Sequence, residues 1–277
     1  MAIHFTYHGI EDFLKVLDEQ KGRAEQDGFD LLAFSHVELD FLRRHELMIE
    51  RQKIRIFEYA PDKQQLILKM PIRAIFAAQG IIFRYLTEQM TKVGMEDDDW
   101  MLLNGGDFQL DNGCTVEPDL ALYCMAGEKG LPPFPHIVFE IGFSQSVEDL
   151  RSRADYYIRH STAEINTVIC LHAPQNQSHV SWAVYKAFRP SKQGQDQDFK
   201  SVICGDGLTS FDKYDGSGEL GLPANITTTG PMTIPIGKGP LGTPDNIELT
   251  EEALVKVTEK INFETLARVI QEPWNER

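Results

Sequence analysis

The sequence predicts a single α/β domain, with a mixed central sheet flanked by helices, on three observations. Two continuous apolar runs, DLALYC (119–124) and IVFEI (137–141), read as central strands buried on both faces, and each holds one acid. A long amphipathic stretch over 71–93 reads as a helix, and a capped helical segment over 147–160 follows the second run. The resulting order is helix, strand, strand, strand, helix, strand, with one more strand appended. At 277 residues and 42% hydrophobic, the chain can bury a sizeable core.

Residues 1–69 form a helical and strand preface. Ile10, Phe13, Leu14 and Leu17 stand at helical spacing, 36–50 is a second helical stretch, and RQKIRIFEYAP (51–61) alternates as a strand. In that strand Ile54 and Ile56, and with less pattern support Phe57, point inward and Arg55 outward. The preface is placed as a cap on one edge of the core.

The core spans 70–190. Ile72, Ile75, Phe76, Ile82, Phe83, Leu86 and Met90 give its first helix one apolar stripe, Pro71 suits the first turn, and Gly94 falls just past the end. The acidic run 96–99 lacks the regular acid spacing and glycine of a metal loop and reads as a solvated turn. Strands are expected over Trp100 to Leu103, Thr115 to Cys124 and His136 to Gly142. Ser144 or Ser146 opens the 147–160 helix, with Asp149 in capping-box position. INTVICLHA (165–173) and VSWAVYKAF (180–188) read as the last two strands.

Residues 191–277 are expected to pack on the same domain. Gly205 to about Asn246 reads as a Gly/Pro-rich surface excursion with short strands such as MTIPI, and an amphipathic helix starts after Thr250. That helix docks on its own core or meets a partner.

The formal net charge of −15 argues against a sequence-independent grip on nucleic acid, which rests on Lys and Arg neutralising phosphates. It leaves room for a local basic rim or a bound cation. The four cysteines are widely spaced without a CxxC pair and read as buried thiols in a reducing compartment. No apolar stretch is long enough to span a membrane and the N-terminus lacks signal-peptide layout, so the expectation is an intracellular protein, cytoplasmic or nuclear, without a membrane partner.

The chemistry concentrates in VEPDLALY, a turn of about a dozen residues, and HIVFEIGFSQSVEDLRSRADYYI. If the two apolar strands pair, Asp119 and Glu140 converge at one end of the sheet. With the backbone carbonyl of Ile141 they offer hard oxygen ligands suited to Mg²⁺ or Mn²⁺. Such an ion activates water and stabilises charge on a scissile phosphate. Plainer readings stand beside this one. Asp119 after Pro118 can cap a turn, Glu140 can form a buried ion pair with Arg151 or Arg153, and Gln79 on the apolar stripe reads as a core amide bonded to backbone.

This segment resembles the PD-(D/E)xK nuclease-like superfamily. Within it, the likeness is to the restriction-endonuclease-like group, in which Pro-Asp, an apolar strand and a Pro-containing turn precede an apolar strand carrying Glu. The helix spacing of that group appears here as Asp149, Arg153 and Tyr157. The resemblance implies a restriction-endonuclease-like fold and metal-dependent phosphodiester hydrolysis, with DNA as the favoured substrate. It departs at the lysine: the usual position, two after the Glu, is Gly142, and the helix position is Arg153. Arginine keeps its proton, so Arg153 is expected to clamp phosphate or stabilise transition-state charge rather than act as a base. The alternative function is a nuclease-fold protein that has lost catalysis and serves as a binding or assembly module for a protein partner or a second copy. A small-molecule-binding α/β domain is a third reading.

Overall fold

The computed structural model describes residues 2–27, 29–51, 54–70, 73–92, 94, 100–125, 131–143, 145–162, 164–173, 179–188, 200–211, 226–228, 232–235, 246–250 and 256. The chain runs β1 (Ile3–Thr6), α1 (Ile10–Asp27), β2 (Leu31–Ser35), α2 (Leu39–Arg51), β3 (Arg55–Ala60), β4 (Gln65–Lys69), α3 (Arg73–Lys92), β5 (Trp100–Leu103), β6 (Phe108–Gln109) and β7 (Thr115–Val116). It continues with β8 (Leu120–Cys124), β9 (Ile137–Gly142), α4 (Val147–His160), β10 (Thr167–His172), β11 (His179–Phe188), β12 (Lys200–Phe211), β13 (Ile226–Thr228), β14 (Met232–Pro235) and β15 (Asn246–Leu249).

The class is mixed α/β, built on two mixed sheets. The first has the order β1-β2-β4-β3-β7-β6 and the second β13-β12-β11-β10-β9-β8-β5, with β14 and β15 forming a separate ribbon. In the second sheet β9 and β10 are parallel and joined through α4, while β8 pairs antiparallel to β9. Every residue of β9 is buried, as its apolar run requires of a strand covered on both faces.

Helix α3 covers one face of that strand. Ile75, Ala78, Ile82, Leu86 and Met90 pack with Leu120, Leu122, Ile137, Phe139 and Ile141. Phe76 lies off this stripe and is 41% exposed, contrary to the sequence reading. Helix α4 covers the other face, packing Leu150, Ala154, Tyr157 and Ile158 on Val138, Val168 and Cys170. Its start follows the sequence: Ser146 Oγ accepts from Asp149 N and Asp149 returns the bond to Ser146 N. Gly94, at φ 75°, ends α3 with its N–H on Thr91 O.

Three sequence expectations are corrected. The preface is no edge cap; its strands form the sheet that also takes β6 and β7 from within 70–190. The span Thr115 to Cys124 is not one strand. Pro118 has no N–H for a ladder, and the chain leaves the first sheet after β7 and enters the second at β8. The Gly/Pro-rich excursion does not begin at Gly205, which pairs with Val184 inside β12 beside a bulge between Val184 and Tyr185. The acidic run 96–99, Pro71 and nearly all of the C-terminal helix lie outside the described residues. Of the cysteines, Cys114 and Cys170 are buried, Cys124 is half-buried and Cys204 is exposed, so the buried-thiol reading holds for part of the set.

Gly142 sits under α4. A β-carbon placed there would lie 2.8 Å from Leu150 Cδ1 and 3.1 Å from its Cγ, and Leu150 is itself buried. Any side chain at this position, lysine included, forces the buried Leu150 side chain to move. Gly142→Ala is expected to lower stability by about 1–3 kcal/mol in urea unfolding, and Leu150→Ala in the same background to return part of that loss. An unchanged midpoint would mean that the Leu150 side chain moves aside freely.

Candidate functional site

The register of β8 and β9 pairs Leu120 with Phe139. One residue further, Asp119 stands opposite Glu140. Like charges at such cross-strand positions repel, so the pair requires compensation from elsewhere. It comes from the first sheet. Lys69, the last residue of β4, places Nζ 2.6 Å from Asp119 Oδ2 and 3.9 Å from Glu140 Oε2, and donates to the carbonyl of Ile141 at 2.9 Å. All three groups expected to ligate a cation thus converge on one ammonium. Asp119 and Glu140 are fully buried and Lys69 is 2% exposed.

Arg55 of β3 completes the grip on Asp119. Its Nη2 donates to Asp119 Oδ1 and its Nη1 to Pro118 O at 3.2 Å. The outward placement expected for Arg55 is therefore wrong: strand alternation gave the face, but the second sheet lies on that face. Gln79 of α3 donates to Asp119 Oδ1 at 2.8 Å and to its backbone carbonyl at 3.3 Å. The expected backbone bond is present, together with a carboxylate bond that was not foreseen. The N–H of Ile141 donates to Asp119 Oδ2 at 2.6 Å. Each Asp119 oxygen accepts two donors, which uses the lone-pair capacity of a carboxylate.

Arg153 of α4 is buried beside Glu140, with Nε 3.6 Å from Oε1. Its Nη1 bonds Glu58 at 2.5 Å, and its Nη2 donates to Phe57 O at 2.7 Å and Tyr157 Oη at 3.1 Å. Tyr157 in turn donates to Glu140 Oε1 at 2.5 Å. The ion pair anticipated for Glu140 is with Arg153; Arg151 is exposed. Glu140 Oε2 has no hydrogen-bond partner among the described residues.

The structure thus brings Asp119, Glu140, Ile141 and Arg153 together. It adds Lys69, Arg55 and Glu58, which the sequence reading left in the preface. A usable signal was present: QLILKM (65–70) is an apolar run with one cation, as IVFEI is one with an anion, and two such buried charges imply each other.

As arranged, this donor set does not fit a divalent ion. Its Asp119 oxygens and the Ile141 carbonyl are filled by protein donors, and Lys69 Nζ stands where the ligands meet. Lys69, Arg55 and Arg153 already face Asp119, Glu140 and Glu58. Among the described residues there is no group of three or more His, Cys, Asp or Glu able to hold a metal, and no helix is long and apolar enough to cross a membrane.

The carboxyls respond differently to burial. For Asp119, burial raises the pKa, but Lys69 and Arg55 outweigh it and bring it down from 3.8 to about 2. For Glu140, burial dominates and the nearby Asp119 adds to it, so its pKa rises despite Lys69 and Arg153. The difference follows distance: Asp119 has cations in direct hydrogen-bond contact, whereas the cations near Glu140 stand at 3.6 and 3.9 Å. Glu117, just before Pro118, accepts from Ile56 N at 3.2 Å, and burial lifts it from 4.5 to about 7 against the pull of Arg55.

Protein-family models and curated protein sequences both gave no match to this chain.

Removing Asp119 leaves Lys69 and Arg55 buried without their anion, so Asp119→Ala is expected to lose roughly 3–5 kcal/mol in chemical unfolding. A neutral or stabilising result would mean that the two cations find other partners. Protonation supplies an independent check. Between pH 4.5 and about 7 the folded state holds a proton on Glu117 that the unfolded chain has released, so stability falls as pH rises across this window. Glu117→Gln should match the wild type below pH 4.5 and exceed it by roughly 2–3 kcal/mol at pH 8. Parallel curves for the two proteins across that range would refute the assignment. Asp119 acts at the other end: its contribution is complete above 3.8 and disappears as pH falls through about 2.

Proposed function

We propose that the chain is a restriction-endonuclease-like α/β protein whose carboxylate pair is closed by its own lysine, and that it works without cleavage, as a binding or assembly module. The order α3, β5, β8, β9, α4, β10 supports the fold assignment, with Pro118, Asp119 and Glu140 at the positions that the resemblance implies. The single observation that carries the function is the place of Lys69 Nζ, bonded to Asp119 and to the Ile141 carbonyl and fully enclosed. A phosphodiester needs an open face on such a pair and a cation needs several free oxygens; here the face is closed, and Glu140 Oε2 is the one carboxylate oxygen of the pair without a hydrogen bond among the described residues.

A second reading has one specific observation in its favour. Position 142 has no lysine, but Lys69 stands next to both carboxylates. On that reading the chain is a Mg²⁺- or Mn²⁺-dependent phosphodiester hydrolase, acting on DNA, in which Lys69 withdraws when a cation enters.

Incubation with supercoiled plasmid and with single-stranded DNA across a Mg²⁺ and Mn²⁺ series separates the two. The expected outcome is no cleavage by the wild type and no Mn²⁺ binding by calorimetry. Lys69→Ala, which vacates the point of convergence, is expected to gain at least about tenfold in Mn²⁺ affinity. Wild-type cleavage that disappears in Glu140→Gln would overturn the proposal and establish the hydrolase.

A further inference from the structure

A cavity of about 560 Å³ opens beside Arg153, lined by residues of β3 and α4. That volume is in the range of small-molecule sites. Its walls include Phe57 and Tyr156, and the Arg153 guanidinium carbon lies 4.1 Å from the Phe57 ring centre and 5.7 Å from that of Tyr156. The guanidinium also lies 4.6 Å from the Tyr157 ring centre, so it and Phe57 already pack on neighbours, and half-buried Tyr156 is the flat, polarisable surface on which a planar ligand can stack.

The polar groups of the lining divide by whether they are already engaged. Glu58 is bound to Arg153, and Asp149 accepts from Ser146 N in the capping box of α4. Arg153 itself spends its terminal nitrogens on Glu58, Phe57 O and Tyr157. Gln145 is different. It is 5% exposed, lines the cavity, and its Nε2 has no acceptor among the described residues. A buried amide nitrogen without a partner is costly and uncommon, and it marks a place where an acceptor is absent. Lys63 and Ser152 also line the cavity, and no described residue hydrogen-bonds or ion-pairs with the Lys63 ammonium or the Ser152 hydroxyl. The uncommitted groups are thus all able to donate, and one of them is a cation.

We propose that this cavity binds a mononucleotide-class ligand, a planar ring carrying an anionic group, with the ring against Tyr156 and the anion and its acceptors on Lys63, Ser152 and Gln145. The proposal goes beyond the non-cleaving reading and does not need it, since none of these three donors belongs to the Asp119 and Glu140 cluster.

Calorimetric titration of the full chain with adenosine 5′-monophosphate tests it, with adenosine and inorganic phosphate as the ring-only and anion-only controls. Binding is expected to be at least about tenfold tighter for the nucleotide than for either control. Lys63→Ala and Gln145→Glu should each weaken it at least about fivefold, with melting temperatures reported alongside to show that both variants fold. A 5′-phosphorylated single-stranded oligonucleotide distinguishes the source: tighter binding than the free nucleotide, lost in the same variants, assigns the cavity to a strand end, and equal or weaker binding assigns it to the free nucleotide. Absence of binding by both probes at millimolar concentration would overturn the proposal. So would binding that survives both substitutions, or that is matched by adenosine or phosphate alone. Plasmid cleavage by the wild type would sink the non-cleaving reading and leave this one standing.

Discussion

The structure depends on one ammonium held between two carboxylates. Asp119 and Glu140 come from adjacent strands of one sheet, and Lys69 comes from the end of a strand in the other. Two buried carboxylates cannot both stay ionised cheaply without a counter-charge, and a buried ammonium is costly without an anion. Each sheet therefore carries a buried charge that the other helps to neutralise. The joining of the two sheets is specified by electrostatics as well as by apolar burial.

Arg55 and Arg153 extend the same logic outward. Arg55 reaches from β3 to the peptide around Pro118, and Arg153 reaches from α4 back to Glu58 and Phe57 in β3. Both guanidiniums make several directed bonds to groups on different elements, a task suited to a planar fork rather than a flexible ammonium. The arginine at the helix position where the resembling group has lysine is thus part of the seam. It holds α4 to the first sheet and borders the neighbouring cavity.

Much of this was legible in the sequence. The runs around Leu120–Cys124 and Ile137–Gly142 announced central strands whose pairing would bring their acids together, and Ser146 with Asp149, one of two caps the sequence offered, stands at the start of α4. The site was half legible, because the reading looked for a metal among residues near in sequence. Lys69 and Arg55 are separated from Asp119 by 50 and 64 positions, and local periodicity carries no information on which sheet lies over which. Arg55 was placed outward because alternation gives the face of a strand and not what covers it. Pro118 held the clue to the two-sheet architecture, since a proline between two strand segments marks the point where one ladder has to stop.

That crossing point has a consequence for how the molecule opens. Val116 ends in the first sheet, Leu120 begins in the second, and between them Arg55 engages Glu117, the Pro118 carbonyl and Asp119 together. A side chain of the first sheet thereby clasps the very peptide that starts the second. Neither layer can breathe without breaking this clasp. Amide protons in β3 and in β8 and β9 should therefore exchange with solvent through one shared opening, as a single cooperative unit rather than as two independent halves.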